Sequence, residues 1–382
     1  MFKAYKFRIY PNETQKELIS KHIGSSRFVY NLALETKNTT YLGSKINVSP
    51  FDLIKQLPEL KKEYTWLKEV NSQSLQQAIQ NMDIAFKKFF KGAGFPKFKK
   101  KSNVGSFSVP QHVSIEDNLL FIPKFKNGIK IVQHRNINGI IRSATISKTP
   151  TGKYFASILV DDNKKEPTKY KIKESNSIGI DLGIKDFAIT SKGEIFENPK
   201  YLKKALSKLK YIQRKYSKNK GKRTKHKLAL AHEKVTNKRK DFLHKVSSKL
   251  ISENQTICLE TLNVKGMLKN NKLAQSISDA SWGTFVSMLE YKAEWNGNNI
   301  LKIGTFAPSS KTCNICGTIN KELTLKDRTW TCKNGHVLDR DINAAINIKT
   351  FALKNMLSGT DSKNQNELPT LVGVLTSEAL TL

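Results

Sequence analysis

The chain has 382 residues, 38% of them hydrophobic, and carries 66 Lys and Arg against 32 Asp and Glu, a formal net charge of +34. That is enough length and apolar content for two or three cored domains, which argues against intrinsic disorder, while so large a basic excess implies a polyanion partner, nucleic acid foremost. The sequence has no apolar run of 18 residues and no charged-then-apolar start, so neither a membrane partner nor secretion is expected and the reading is cytoplasmic.

In chain order, Tyr5, Phe7 and Ile9 alternate with Lys6 and Arg8, predicting a strand over Lys3 to Tyr10 with one basic face. Pro11 stops it. Thr14-x-x-Glu17 has the pattern of a capping box ahead of Leu18, Ile19, Ile23 and Phe28, so a helix follows. Ser49-Pro50 opens another, and Leu75, Ile79, Met82, Phe86 and Phe89 stripe a third, making 11–90 a small helical domain inserted after the opening strand. The stretch AFKKFFKGAGFPKFKKK then interleaves aromatics with basic residues. Lys97, Lys99, Lys100 and Lys101 are candidate phosphate contacts beside rings able to stack on bases, the alternative being a basic loop with its phenylalanines packed inward. Short β-rich runs between Ser106 and Lys173 predict a small barrel or antiparallel sheet, completed by the first strand.

A new domain opens at NSIGIDLGIKDFAITSKGEIF, 176–196. Its first strand carries Asp181 among Ile178, Ile180 and Leu182, where a carboxylate is costly to bury without a cation or hydrogen bonds. Tyr201 to Leu250 reads as two helices about the break at Asn219-Lys220-Gly221-Lys222. It holds 18 Lys or Arg with only Glu233 and Asp241 as acids, and Lys215, Lys222, Arg223, Lys238 and Arg239 are its candidate nucleic-acid contacts. QTICLE is a buried strand ending on Glu260, with Cys258 as a core residue. An amphipathic helix from Asp279 to Trp295 and a strand from Asn299 to Ile303 follow.

Two metal chemistries then meet within one stretch. Cys313-x2-Cys316, fifteen residues and Cys332-x3-His336 form two knuckles that suit a structural Zn²⁺ closed by four protein ligands. Position 335 is Gly335, so His336 falls one residue late for a C-x2-C knuckle and only geometry can settle whether it closes the site. Asp339 suits an N-cap before the apolar run Ile342, Ala345 and Ile346, which puts Asp341 in the first turn of a helix. Asp181, Glu260 and Asp341 lie 79 and 81 residues apart, on two strands and a helix start. An RNase H-like fold gathers distant acids in this way to hold two Mg²⁺ for in-line attack on a phosphodiester. From Met356 onward the sequence reads as a flexible tail.

The order GIDLGIKDFAIT, CLETLNVKGM with KLAQSISDASWGTF, and SSKTCNIC through DRDINAAINI resembles the TnpB family, transposon-encoded relatives of type V CRISPR effectors and Fanzor proteins. KFRIYPNETQ, RFVYN and GFPKFKKK are similar to it too, so the resemblance spans roughly residues 1–350. It implies an α+β multidomain chain. A wedge β-barrel (1–10 and 91–175) would be split around a helical recognition domain (11–90). A RuvC-like nuclease domain (176–305 and 337–355, with the basic hairpin 201–250) would hold an inserted zinc module (306–336), and a tail would run over 356–382. It further implies that Asp181, Glu260 and Asp341 are the nuclease acids and that Cys313, Cys316, Cys332 and His336 are the zinc ligands. The implied partners are a guide RNA from the transposon end and double-stranded target DNA with a short adjacent motif, in a bacterial or archaeal host, with no small-molecule substrate. A nuclease-dead RNA-guided repressor and a strand-transferring transposase are the alternatives. The first would be favoured by loss of an acid. The second shares the metal chemistry but needs no RNA.

Overall fold

In the computed structural model, which describes residues 1–357 apart from Asn103 and Leu325, the chain forms two units, 1–165 and 166–357. The alternation at the start of the chain becomes strand β1 (Phe2–Tyr10), with Phe7 and Ile9 fully buried. Helix α1 (Glu13–Ser44) begins ahead of the Thr14 box. Asn12 accepts from the Gln15 amide at 2.8 Å, and the Gln15 side chain accepts from the Asn12 amide at 3.1 Å. Asn12-x-x-Gln15 is a box of the same kind, and its position directly after Pro11 lets it act first, leaving Thr14 inside the first turn. Helices α2 (Pro50–Lys55, capped by Ser49), α3 (Leu57–Glu63) and α4 (Ser72–Phe90) share one core with α1 through Leu34, Leu53, Leu57, Leu75, Ile79 and Met82.

Strands β2 (Gly105–Val109), β3 (Ser114–Glu116), β4 (Leu119–Phe121), β5 (Ile129–Val132), β6 (Ile140–Lys148) and β7 (Tyr154–Asp161) join β1 in one antiparallel sheet, ordered β2-β6-β7-β1-β5-β4-β3. The first strand sits in its centre, paired with β7 from Phe2↔Asp161 to Ile9↔Tyr154 and with β5 on its other side. Among the described residues the ladder runs from edge β2 to edge β3 without closing, so it is the antiparallel sheet of the two forms expected and not a hydrogen-bonded barrel.

The second unit holds β8 (Ser177–Leu182), β9 (Asp186–Thr190), β10 (Ile195–Glu197), α5 (Tyr201–Lys218), α6 (Lys222–Glu253) and β11 (Thr256–Glu260). There follow α7 (Val264–Met267), α8 (Ala274–Ala280), α9 (Trp282–Asn296), β12 (Asn299–Ile303), β13 (Thr329–Thr331), β14 (Val337–Asp339) and α10 (Arg340–Leu357). The sheet order is β10-β9-β8-β11-β12, with β8, β11 and β12 parallel. Ile178, Ile180, Ile257 and Leu259 point to one face, against α6 and α9. The opposite face, carrying Gly179 and Cys258, is covered by α10.

Three expectations shift. The helix expected from Asp279 is two helices, because Ser281 takes a left-handed backbone (φ 56°) between α8 and α9. Residues 168–176, read with the preceding sheet, are bonded to the second unit: the Tyr170 amide donates to the Gly297 carbonyl, and Asn299 Nδ2 donates to the Tyr170 carbonyl. Helix α10 runs through Met356 to Leu357, and the rest of the expected tail lies outside the described residues. Among the described residues no helix is long and apolar enough to cross a membrane.

Candidate metal centres and nucleic-acid surface

Strands β8 and β11 run parallel with partners 79 residues apart, Thr256↔Ser177 through Leu259↔Ile180. Asp181 and Glu260 differ by that same number, so one step further they stand side by side at the carboxyl ends of neighbouring strands, on the face that carries Gly179 and Cys258. Asp181 is next to last in β8. Helix α10 lies on this face so closely that a Cβ on Gly179 would meet the Ala345 carbonyl oxygen at 2.0 Å. Its first turn, capped by Asp339 through the Asp341 and Ile342 amides at 3.0 and 2.9 Å, carries Asp341.

The three carboxylates feel one another. Burial, then the charges of Glu260 and Asp341, push Asp181 up to about 7, against the opposing pull of Arg340. Glu260 accepts from the Ser309 hydroxyl. Asp341 is held by Arg328 at 2.9 Å and Arg340 at 3.5 Å. An oxygen-only donor set, with three acids sharing a sheet end and one of them driven toward its neutral form, fits a hard divalent cation. The carboxylates do not draw into one closed cluster, however: among the described residues the only group of potential ligands mutually within 4.8 Å is Cys313, Cys316, Cys332 and His336.

In that group Cys316 Sγ lies 3.7 Å from Cys332 Sγ, and His336 Nδ1 lies 3.7 Å from Cys313 Sγ and 3.2 Å from Cys332 Sγ. Tetrahedral zinc with ordinary bond lengths needs sulfur–sulfur edges of about 3.8 Å and sulfur–nitrogen edges of about 3.6 Å. The donor set therefore fits zinc, with His336 Nδ1 placed where a fourth ligand would stand. Each knuckle turns on a glycine at positive φ, Gly317 at 76° and Gly335 at 82°. The imidazole reaches further from its backbone than a thiol does, which accommodates the extra residue before His336. The Cys316 thiol is brought down to about 6, chiefly by the Thr318 hydroxyl bonded to it, so it is poised to bind metal as thiolate. Cys258 is not part of this group. It is fully buried with Leu301, Ile303, Ile348 and Ala352, and burial pushes its thiol up to about 12.

Residues 157–271 match the OrfB_IS605 family, described as "Probable transposase", and 282–348 match "Cas12f1-like, TNB domain". Residues 1–44 match a family described as "Helix-turn-helix domain", although here they form a strand and a single long helix. A "Putative RNA-guided DNA endonuclease" of Streptomyces pristinaespiralis is 37% identical over 96% of this chain and 93% of its own length. The chain belongs to the OrfB_IS605/TnpB family. A second relative, "Putative RNA-guided DNA endonuclease InsQ" of Escherichia coli K12, is 30% identical over 90% of this chain and 91% of its own. A Cas12f1 chain solved in complex with sgRNA and target DNA shares the fold, with a TM-score of 0.56 at 14% identity over 88% of this chain and 83% of that one.

The basic surface of this TnpB-family chain divides on inspection. In the first unit, Phe95 packs against Phe86 and Phe89, while Phe90 and Phe98 are 79% and 54% exposed. One ring of that stretch is thus packed inward and two are open to solvent. Lys99 is pinned through its backbone by the Asn31 side chain, and its ammonium sits 3.9 Å from the centre of the Tyr30 ring. Lys97, Lys100 and Lys101 are exposed. In the hairpin, Lys215, Lys222, Arg223 and Lys238 are exposed. Arg239 turns inward to Asp279 at 3.2 Å, and Asp279 also accepts from the Leu202 and Lys203 amides at the start of α5. That pair anchors the hairpin, which makes Arg239 a structural cation before it is a phosphate contact.

Other residues beside the acids escaped sequence reasoning. Asn343 and Asn347 are buried one turn apart on α10 and donate to the carbonyls of Ser309, Ser310 and Thr312. Phe306, in the loop just before Ser309, is 96% exposed. Asparagine four apart on a helix is a weak signal, and nothing local marks Ser309 as a partner of Glu260.

Proposed function

We propose that the chain is an RNA-guided, Mg²⁺-dependent DNA endonuclease that hydrolyses target phosphodiesters at Asp181, Glu260 and Asp341. The observation that carries this is the 79-residue register of β8 and β11, which sets two of the acids side by side under the helix that bears the third. Divalent cations held by these carboxylates would supply charge neutralisation and activation of the attacking water. The protein's own part is to bring the acids together at the sheet's end. Asp181, whose carboxyl burial and its acidic neighbours hold up near 7, would have to give up its proton to hold a cation. The family and the fold support guide RNA and target DNA as partners, with pairing to the guide reading the target. The zinc module, closed by Cys313, Cys316, Cys332 and His336, is structural. The domain roles form part of the same proposal, with the boundary drawn where the two units part: a wedge from 1–10 and 91–165, recognition helices over 11–90, a RuvC-like nuclease over 166–305 and 337–355, and zinc module 306–336 between.

The test is to express the protein with its native flanking DNA, sequence the bound RNA, and assay a matching plasmid in Mg²⁺ or EDTA. A discrete RNA, cutting only with Mg²⁺, and loss of cutting in Asp181→Ala with RNA retained are expected, together with about one zinc per chain. Asp181→Ala that still cuts would overturn the assigned site. Target binding without cutting would indicate a repressor, and absence of RNA a transposase.

A further inference from the structure

Glu260 ends its strand, and the structure gives its side chain one hydroxyl partner, Ser309. Ser309 is itself 5% exposed, although it sits in the connection between β12 and the first knuckle and belongs to no regular element. Its backbone is fixed at both ends. The Ser309 amide donates to the Ala307 carbonyl at 2.8 Å, and its carbonyl accepts from Asn347 at 2.7 Å and Asn343 at 3.5 Å. Both asparagines, 2% and 3% exposed, lie on α10 just beyond Asp341. They also grip the loop further along: each donates to the Thr312 carbonyl, and Asn343 Oδ1 accepts from the Asn314 amide between the knuckle cysteines.

We infer that Ser309 is a positioning residue for the acid site, holding the Glu260 carboxylate in place relative to the helix that carries Asp341. The inference rests on the proposed nuclease reading. A glutamate has three side-chain torsions to fix and loses that freedom when it takes a cation. The Ser309 hydroxyl fixes one oxygen in advance, leaving the second free. Because Ser309 is tied to α10 by buried amides, Glu260 and Asp341 are indexed to the same helix although β11 and α10 are separated by the whole zinc module. Oriented ligands of this kind depend on such outer partners, whose removal typically costs tenfold or more in metal affinity.

The test uses the full-length chain and Mn²⁺ as probe, followed by the electron spin resonance of the free ion, with Ser309→Ala, Ser309→Thr and Asp181→Asn beside the wild type. Ser309→Ala should weaken Mn²⁺ binding about tenfold and raise the Mg²⁺ needed for half-maximal cleavage by the same factor. The rate at saturating Mg²⁺ should stay within about threefold of wild type, with zinc content and thermal midpoint unchanged. Ser309→Thr, which keeps the hydroxyl, should bind within about twofold of wild type. Unaltered Mn²⁺ binding in Ser309→Ala overturns the inference. So does an equal loss in both serine variants accompanied by lost zinc or a lowered midpoint, which would mark a packing role. Asp181→Asn that binds Mn²⁺ as the wild type does would instead sink the nuclease site itself.

Discussion

His22 shows how much one side chain can be asked to do inside the first unit. It is 1% exposed and packs against Phe107, ring centres 4.6 Å apart and planes tilted by 30°. As a neutral ring its Nδ1–H donates to the Leu18 carbonyl at 2.8 Å, and its Nε2 accepts from the Asn71 amide at 3.0 Å, joining α1 to the start of α4. A second proton has no acceptor there, and burial lowers the ring to about 4 from an ordinary 6.5. Between those values the unfolded state binds more protons at this ring than the folded one, so the contribution of His22 to stability is full above pH 6.5 and drains away as pH falls toward 4. The loss is on the order of 3 kcal/mol. The raised carboxyl of Asp181 works in the opposite direction over the same window, so the test is a difference: the lead of the wild type over His22→Gln in thermal midpoint, present at pH 7, should shrink between pH 6.5 and 4.5. A lead that stays constant across that window would refute the neutral-ring assignment. Nothing local in the sequence marks this histidine, since its partners come from Asn71 and Phe107. Asp181, by contrast, was legible at once, because a carboxylate amid Ile178, Ile180 and Leu182 needs a reason to be there.

Among elements, the contact between β8 and α10 decides where Asp341 goes. Gly179 is the point of closest approach, with the Ala345 carbonyl 2.0 Å and the Lys349 amide 2.8 Å from where a Cβ would stand. Gly179→Ala must push α10 away by more than its packing can absorb, so it should destabilise the fold by about 1–3 kcal/mol or more and reduce cleavage with it. Gly283, inside α9, has nothing within 4 Å of its would-be Cβ. Gly283→Ala should raise stability by up to about 1 kcal/mol through helix propensity alone. Parallel thermal melts decide it, and a Gly179→Ala protein as stable as the wild type would refute the close-approach argument. The elements themselves were largely readable: periodicity marks β1 and α4, QTICLE reads as the buried strand β11, and the Asn219–Lys222 break separates α5 from α6. What failed were ends and interruptions. The α1 cap went to Asn12 because two boxes overlap, and the break at Ser281 carries no glycine or proline to announce it. The sheet's open edges are a matter of pairing between distant strands, which composition does not encode.

For the whole molecule, the charge of +34 is unevenly spread, and the hairpin from Tyr201 to Leu250 contributes 18 basic and two acidic residues. Helix α5 buries only Leu209 fully, so most of its basic side chains remain in solvent. The excess was plain from composition, but which cations are committed to the fold was not: Arg239 finds Asp279 forty residues on, a pairing that only tertiary structure creates. This division makes the two groups separable by salt. Each phosphate contact contributes a unit of counterion release, with a slope of about 0.7 to 0.9 in log affinity against log salt. If Lys215, Lys222, Arg223 and Lys238 all meet RNA phosphates, replacing the four by Ala should lower the slope by roughly 3 and weaken binding most at low salt. The thermal midpoint should stay within a few degrees of wild type, since none of the four is buried. Arg239→Ala should do the reverse, lowering the midpoint by stranding Asp279 at the start of α5 while changing the slope by less than one unit. Filter binding of the co-purified RNA across a salt series measures both. An unchanged slope in the fourfold variant would move the RNA surface off this hairpin and onto the basic residues of the first unit, where Lys97, Lys100 and Lys101 are exposed and so are the rings of Phe90 and Phe98.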